Sequence, residues 1–290
     1  MPELPEVTVI VRGLDKKLKG LVLESLEYDW PKNFIWNGFS IADLEGAKVS
    51  GVQRQGKVVI INVSKVPKKL SILIHLKLTG QLIYQEKKTR IAGGHPIPPL
   101  NLPSPNKTTR VTFAFTNGGH LYFNDMRKFG WVRIVQSSKL KVESFLEKLG
   151  PDALEISFSD FSQRLASKGK ARVKKLLMDQ AFVSGIGNIY SDEGLWRAKV
   201  HPERLASSLS DSEIKDLYKG IQESLKLAIE KGGSSANSFV DSGGEKGLFL
   251  TFAKAYHMTG KPCARCKTPI VRKKIDGRSA HFCPKCQFLK

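Results

Sequence analysis

The chain opens Met1-Pro2-Glu3-Leu4-Pro5-Glu6. If Met1 is removed, Pro2 presents a secondary amine at the very end of the chain. An α-amine has a pKa of about 8 and is therefore partly unprotonated at neutral pH, which makes it a usable nucleophile. Glu3, the next residue, can shuttle protons beside it. Proline at position two is also common where it does no chemistry, so the pattern gains weight only from what accompanies it. Lys57 carries the same ambiguity: it is either a solvated lysine at a strand end or a cation on the reaction path.

The second group with chemistry is Cys263, Cys266, Cys283 and Cys286, two CxxC pairs with 16 residues between Cys266 and Cys283. That spacing suits a four-thiolate zinc ribbon or finger. A redox pair would need one CxxC in a thioredoxin-like βαβ setting. A closed four-thiolate site has no open position, so one structural Zn2+ is expected to fold the tail and not to catalyse. Between the knuckles, Val271 to Arg278 reads as a hairpin turning at Asp276-Gly277, with Arg278 at the tip suited to grip phosphate.

Two further segments fit a polyanionic partner. Ser184-Gly185-Ile186-Gly187-Asn188 joins two helical stretches, so free amides and the helix dipole at Asn188 can bind phosphate. Lys168, Lys170, Arg172, Lys174 and Lys175 precede it. Arg127 and Phe129, two apart after a strand, are a salt-bridged loop with a core aromatic on the plain reading. In a protein that opens a duplex they could fill the gap left by an extruded base. Leu78 is a third such wedge candidate, although a single leucine is more often core.

These groups need elements to hold them. Residues 5 to 19 read as a helix: Pro5 suits a first turn, and Val7, Ile10, Val11, Leu14 and Leu18 recur at helical spacing before Gly20. Strand patterns follow at 57–63, 71–76 and 111–115, which suggests a β-sandwich. Residues 86 to 108, with Gly93-Gly94 and five prolines, are expected to be a poorly ordered loop insertion. Helices are expected at 142–149, 159–166, 172–179, 189–198 and 211–231, the last capped by Ser210 and Glu213. The fold class is therefore α+β, with boundaries at 1–135 for the β domain, 136–250 for the helical domain and 251–290 for the finger.

Composition sets the partner. The 290 residues carry 47 Lys+Arg against 27 Asp+Glu, a formal charge of +20 that points to nucleic acid. From Lys254 to Lys290 ten basic residues face the single acid Asp276. No stretch of about 18 apolar residues exists to span a bilayer. Glu3 and Glu6 stand where a secretory signal would be positive, so a cytoplasmic, nucleoid-associated protein is expected.

Taken in order, Pro2-Glu3-Leu4-Pro5-Glu6-Val7, Arg127-Lys128-Phe129-Gly130, Gly185-Ile186-Gly187-Asn188-Ile189-Tyr190 and the cysteine finger with Arg278 resemble the bacterial formamidopyrimidine-DNA glycosylase family over nearly the whole chain. The resemblance implies a monomeric, bifunctional glycosylase and abasic-site lyase that excises oxidised purines (8-oxoguanine, formamidopyrimidines) from double-stranded DNA. It further implies a β-sandwich with an N-terminal helix, a helix-two-turn-helix domain and a zinc-finger hairpin.

By that similarity Pro2 forms a Schiff base with the sugar, Glu3 protonates the opening sugar, Lys57 serves β-elimination and Arg278 the second, δ-elimination. Leu78, Arg127 and Phe129 would occupy the vacated stack. Thr108, Lys168, Lys170, Lys174 and Asn188 would contact DNA, and Glu6, Ser234 and Ser235 would border the lesion pocket. The chain departs from the family at Thr8, where glutamate is usual, at Thr108, where histidine is common, at Ser234-Ser235-Ala236-Asn237-Ser238, and over the stretch His257-Met258-Thr259, which differs from the usual Gly-Arg run. Two alternatives stay open: an endonuclease VIII-type enzyme for oxidised pyrimidines, disfavoured by Leu4, and a non-catalytic DNA binder on the same scaffold.

Overall fold

The structure, a computed structural model, describes residues 1–87, 103–234 and 247–289, and the backbone of 89–93. Its contacts divide the chain into two units. The first comprises Met1–Glu147 with Lys231–Gly247, the second Lys148–Glu230 with Leu248–Lys290. The division departs from the expected order of three consecutive domains. The chain returns to the first unit after its long helix, and the finger packs with the helical residues instead of standing alone.

In the first unit, helix α1 (Leu4–Leu18) begins at Glu3. Pro5 sits in its first turn, where its missing N–H costs no hydrogen bond. Val7, Ile10, Val11, Leu14 and Leu18 are all buried, each contributing about 1.5–3 kcal/mol on removal from water. Behind the helix stand two five-stranded sheets. One runs β1 (Leu23–Tyr28), β8 (Thr109–Phe115), β9 (His120–Asp125), β6 (Gly80–Glu86) and β7 (Thr89–Gly93). The other runs β2 (Phe34–Ile35), β10 (Trp131–Gln136), β5 (Lys68–His75), β4 (Val58–Lys65) and β3 (Lys48–Gln55). A one-turn helix, α2 (Ile41–Leu44), precedes β3. Asp15 fastens α1 to β3 by accepting from the Val52 N–H at 2.7 Å.

The 86–108 segment is not wholly loop. Its Thr89–Gly93 stretch pairs antiparallel with β6 as the edge strand of the first sheet, because Thr and Ile there suit a pleated edge. Residues 94–102 lie outside the described residues. The helix expected at 142–149 is also absent. A 3-10 segment covers Ser137–Val142, and the Glu143 carboxylate then accepts from the Phe145 and Leu146 N–H groups at 2.8 and 3.0 Å in a turn.

The second unit contains α3 (Phe158–Ser167), α4 (Val173–Met178), α5 (Asn188–Arg197), α6 (Asp211–Glu230) and the single-turn α7 (Phe249–Phe252). The α6 cap is as expected, with Ser210 N–H donating to Glu213 at 2.9 Å. Strands β11 (Val271–Ile275) and β12 (Arg278–Phe282) form the hairpin, turning through Asp276 and Gly277, both at positive φ. Among the described residues no helix is long and apolar enough to cross a membrane.

Two loops at one end of the sandwich are held by a single acid. Asp125, fully buried, accepts from Thr79 Oγ1, from the Arg127 N–H at 3.2 Å and from the Gly130 N–H at 2.8 Å. The backbones approach so closely that a Cβ on Gly130 would stand 2.8 Å from the His75 carbonyl oxygen, and one on Gly80 2.4 Å from that of Leu76. These glycines are steric requirements.

Removing the carboxylate in Asp125→Ala leaves buried donors unsatisfied and is expected to cost about 3 kcal/mol, read as a lowered Tm. A loss no larger than that of a surface substitution, within about 0.5 kcal/mol, would refute this anchoring role. Nearby His75 is buried between Trp131 and Phe145, and its Nδ1 accepts from the Lys77 N–H at 3.0 Å. Burial, then the charges of Lys77 and Lys57, lower its pKa to about 3. Since the folded value lies below the ordinary one of about 6.5, its stabilisation is complete above that pH and is lost as pH falls toward 3. The ring should show no NMR titration between about pH 8 and 5; a midpoint near 6.5 would contradict the burial.

Candidate nucleic-acid interface and amine site

The N-terminal amine lies among charged side chains of the first unit. Pro2 is buried, while Met1 is 44% exposed. Glu3 and Glu6 are both buried and form a reciprocal cap. The Glu3 N–H donates to Glu6 Oε2 at 2.9 Å, and the Ser234 N–H donates to Glu6 Oε1 at 2.8 Å. Glu6 thus ties the helix start to the far segment at Ser234; Ser235 lies outside the described residues. Lys57, also buried, follows Gly56 at the β3–β4 turn. Burial lowers the pKa of the terminal amine, Glu3 and Glu6 push it up, and Lys57 lowers it again. Here the amine belongs to Met1, one residue from the Pro2 nitrogen that its removal would free.

The departure at Thr8 has a local partner. Its hydroxyl accepts from Arg54 Nε at 2.6 Å and donates to the Leu4 carbonyl at 2.8 Å.

The wedge candidates share the Asp125-held loops. Leu78 is 41% exposed and Phe129 50% exposed, large apolar groups facing water. Arg127 lies over the Phe129 ring at 4.8 Å, a cation–π pair that stiffens both. Met126, exposed beside them, was not anticipated.

Thr108 was expected to meet DNA, but it is buried. Its hydroxyl and N–H both bond Asn106 Oδ1, at 2.7 and 2.9 Å, and its carbonyl accepts from Asp125 N–H at 2.8 Å. Its polar atoms are used in closing the turn into β8.

In the second unit, Asn188 opens α5, and the preceding loop is stapled by Gln180. That side chain accepts from the Gly185 N–H at 3.0 Å and donates to the Ile186 carbonyl at 2.8 Å. Asn188 and Arg278 line one cavity of about 590 Å³ with Arg272 and His257. Lys168 and Arg278 line a second, of about 430 Å³, together with Lys175. Lys168 and Lys170 are both exposed.

Lys174, expected to contact a phosphate, also lines the second cavity with Lys168 and Lys175. It is 1% exposed and ion-paired to the equally buried Asp192. The helical pattern explains this: Val173, Leu176 and Leu177 bury the face of α4 from which Lys174 also projects inward.

Asp192 and Glu193, neighbours on α5, went unremarked in the sequence. Asp192 also accepts from the His281 N–H at 3.0 Å and meets its Nδ1 at 2.8 Å. Glu193 accepts from the N–H groups of Lys254, Ala255 and Tyr256 at 2.9 to 3.1 Å. Burial raises the Glu193 pKa against those bonds. Two acids in a helix whose other residues are mostly apolar were the only signal available.

The four cysteine sulfurs all lie within 4.8 Å of one another, and Cys266 Sγ is 3.4 Å from Cys283 Sγ. With about 2.3 Å zinc–sulfur bonds a tetrahedron needs its sulfurs just under 4 Å apart, so the cluster fits one structural Zn2+. Burial pushes the Cys286 thiol up to about 12 while a hydrogen bond with Thr268 draws Cys266 down to about 6. Without a cation four thiolates could not share so small a space.

With this geometry in view, comparison with known proteins is direct. Residues 1–132 match the formamidopyrimidine-DNA glycosylase N-terminal domain, 149–240 its H2TH domain, and 260–287 a zinc finger found in FPG and IleRS. The formamidopyrimidine-DNA glycosylases of Pelotomaculum thermopropionicum and Streptococcus mutans are each 38% identical, covering 100% and 99% of both chains respectively. The Lactococcus lactis Fpg bound to abasic-site DNA superposes with a TM-score of 0.85 at 31% identity, covering 99% of this chain and 100% of that one. MutM bound to carbocyclic 8-oxo-G DNA gives 0.85 at 32%, with the same coverage. The two-sheet domain, the helical domain with its H2TH motif and the four-cysteine finger identify this chain as a member of the formamidopyrimidine-DNA glycosylase family.

Proposed function

We propose that this protein is a DNA glycosylase and abasic-site lyase that removes oxidised purines from double-stranded DNA, working as a monomer in the bacterial cytoplasm at the nucleoid. The observation that carries the reading is the amine site: a chain-terminal nitrogen among Glu3, Glu6 and Lys57, its pKa lowered chiefly by burial. A desolvated amine holds more of its population unprotonated at neutral pH, which a nucleophile requires.

The chemistry balances on these groups. The Pro2 nitrogen bonds to the sugar C1′ as the bond to the damaged base breaks, and the base leaves with a proton. Opening of the ring breaks C1′–O4′, Glu3 delivers a proton to O4′, and an iminium ion remains. The iminium acidifies C2′–H; once that proton is lost the 3′ phosphate leaves, a step in which Lys57 is the proton carrier. Arg278 serves the second elimination. Water then releases the amine.

The remaining residues bind. Leu78, Arg127 and Phe129 fill the space of the extruded nucleotide, which costs a few kcal/mol of unstacking. Lys168, Lys170 and Asn188 hold phosphates, and the charge of +20 supplies sequence-independent affinity. Lys174 acts only indirectly, by holding Asp192. Glu6 and Ser234 border the lesion pocket, and Ser235 is assigned there by resemblance alone. Zinc, when bound, fixes the knuckles that present the Arg278 hairpin.

Borohydride added to the protein on abasic or 8-oxoguanine duplex should trap a covalent adduct whose mass lacks Met1. Pro2→Leu, whose bulky second residue retains Met1, should give none. Absence of an adduct from wild type would leave a non-catalytic binder, and faster release of thymine glycol than of 8-oxoguanine would favour the pyrimidine enzyme. Stripping zinc should unfold the hairpin and weaken duplex binding at least tenfold, about 1.4 kcal/mol. Unchanged affinity after verified metal loss would show that the finger does not contribute.

A further inference from the structure

The cavity shared by Asn188 and Arg278 contains a side chain with no role so far. His257 lines it alongside Arg272 and His281. Its backbone sits at φ +60, a conformation in which glycine is the unstrained choice. Glycine would sit here without strain, so this chain carries an imidazole where none is needed for the turn. The turn itself is fixed one residue earlier, where Glu193 accepts the Tyr256 N–H at 2.9 Å. The ring is also placed: it lies 4.6 Å from that of Tyr256 and 6.1 Å from that of His281.

The cavity has the chemistry of an anion site. Arg272 is oriented by Ser279, whose hydroxyl accepts its Nε and Nη2 at 3.0 and 2.8 Å. Arg278 makes no ion pair among the described residues. We propose that His257 is an additional phosphate-binding residue of this protein, donating a charge-assisted hydrogen bond to a DNA backbone phosphate held in this cavity and taking a proton from solvent as it does so. The proposal rests on the DNA-binding reading above.

The groups facing the imidazole explain why the proton arrives with the ligand. The Tyr256 ring stands beside it on its own segment, the charge of Arg272 acts on it from β11 and His281 from β12, and Arg278 of β12 lines the same cavity. Burial first, then His281 and Arg272, hold the His257 pKa below the ordinary histidine value in the free protein. It is therefore largely neutral at neutral pH. A bound phosphate favours the imidazolium, so DNA raises the pKa, and by linkage affinity rises as pH falls from the bound value to the free one. Each unit by which DNA raises that pKa is a tenfold gain in affinity.

The test measures Kd by fluorescence anisotropy for the full-length, zinc-loaded protein on a duplex carrying a tetrahydrofuran abasic analogue, at constant ionic strength from about pH 8 to about pH 5.5. Wild type should tighten about tenfold more over this range than His257→Asn, which keeps a residue tolerant of positive φ. At the acid end the salt slope of His257→Asn should be shallower by about 1. His257→Gly, which relaxes the backbone, should fold with full zinc content and match His257→Asn. Equal pH dependence and equal salt slope in wild type and both variants would overturn the proposal even with tight binding intact. Failure of wild type to bind the duplex at all would remove the DNA reading, and this inference with it.

Discussion

A buried carboxylate that accepts backbone N–H groups from a loop is the interaction on which this structure depends. Asp125 does this for the loop that carries Arg127 and Phe129, and accepts the Thr79 hydroxyl next to Leu78. Glu193 does it for the Lys254–Tyr256 turn, Asp192 for the start of β12's inner half at His281, and Glu6 for Ser234. Each acid stands in or at the end of a regular element, and the targets of Asp125, Glu193 and Glu6 are irregular segments, while that of Asp192 lies in β12. A buried carboxyl is costly unless its lone pairs are filled, so the loop geometry and the buried acid require one another.

That constraint also explains how the charge of +20 is distributed. With relatively few acids, several are withdrawn into the interior, where they shape backbone and neutralise little of the surface. The exposed cations Arg127, Lys168 and Arg278 are therefore left to face a polyanion. The exchange is visible in Lys174, which is drawn inside because Asp192 is there. One basic residue is given up to hold the acid that positions the hairpin bearing Arg278.

The cysteine cluster supplies the same kind of order by different chemistry. The knuckles are too short to build a core of their own, and among the described residues a small group (Trp196, Ala255, Ile270 and the partly buried Met258) packs with Cys263 and Cys283. A metal there replaces the missing hydrophobic burial. His257, six residues ahead of the first cysteine, receives its left-handed backbone from a turn that α5 holds in place.

Local pattern was enough to read α1, the α6 cap, the Asp276-Gly277 hairpin and the zinc ligands from the amino-acid sequence, because periodicity, capping and thiol spacing act over a few residues. The same short-range signals carried the family motifs. They misread residues 142–149, where Glu143 closes a turn, and the Thr89–Gly93 strand, whose partner lies elsewhere in the chain. Tertiary structure alone decided that Thr108 and Lys174 are buried, that Asp125, Asp192 and Glu193 serve as anchors, and that His257 shares a cavity with Arg272 and Arg278. A carboxylate's role depends on which distant N–H groups reach it, and a lysine's on whether an acid awaits it inside. Those are facts of packing between distant segments, 89 residues apart for Asp192 and His281 and 228 for Glu6 and Ser234, and composition or spacing along the chain does not encode them.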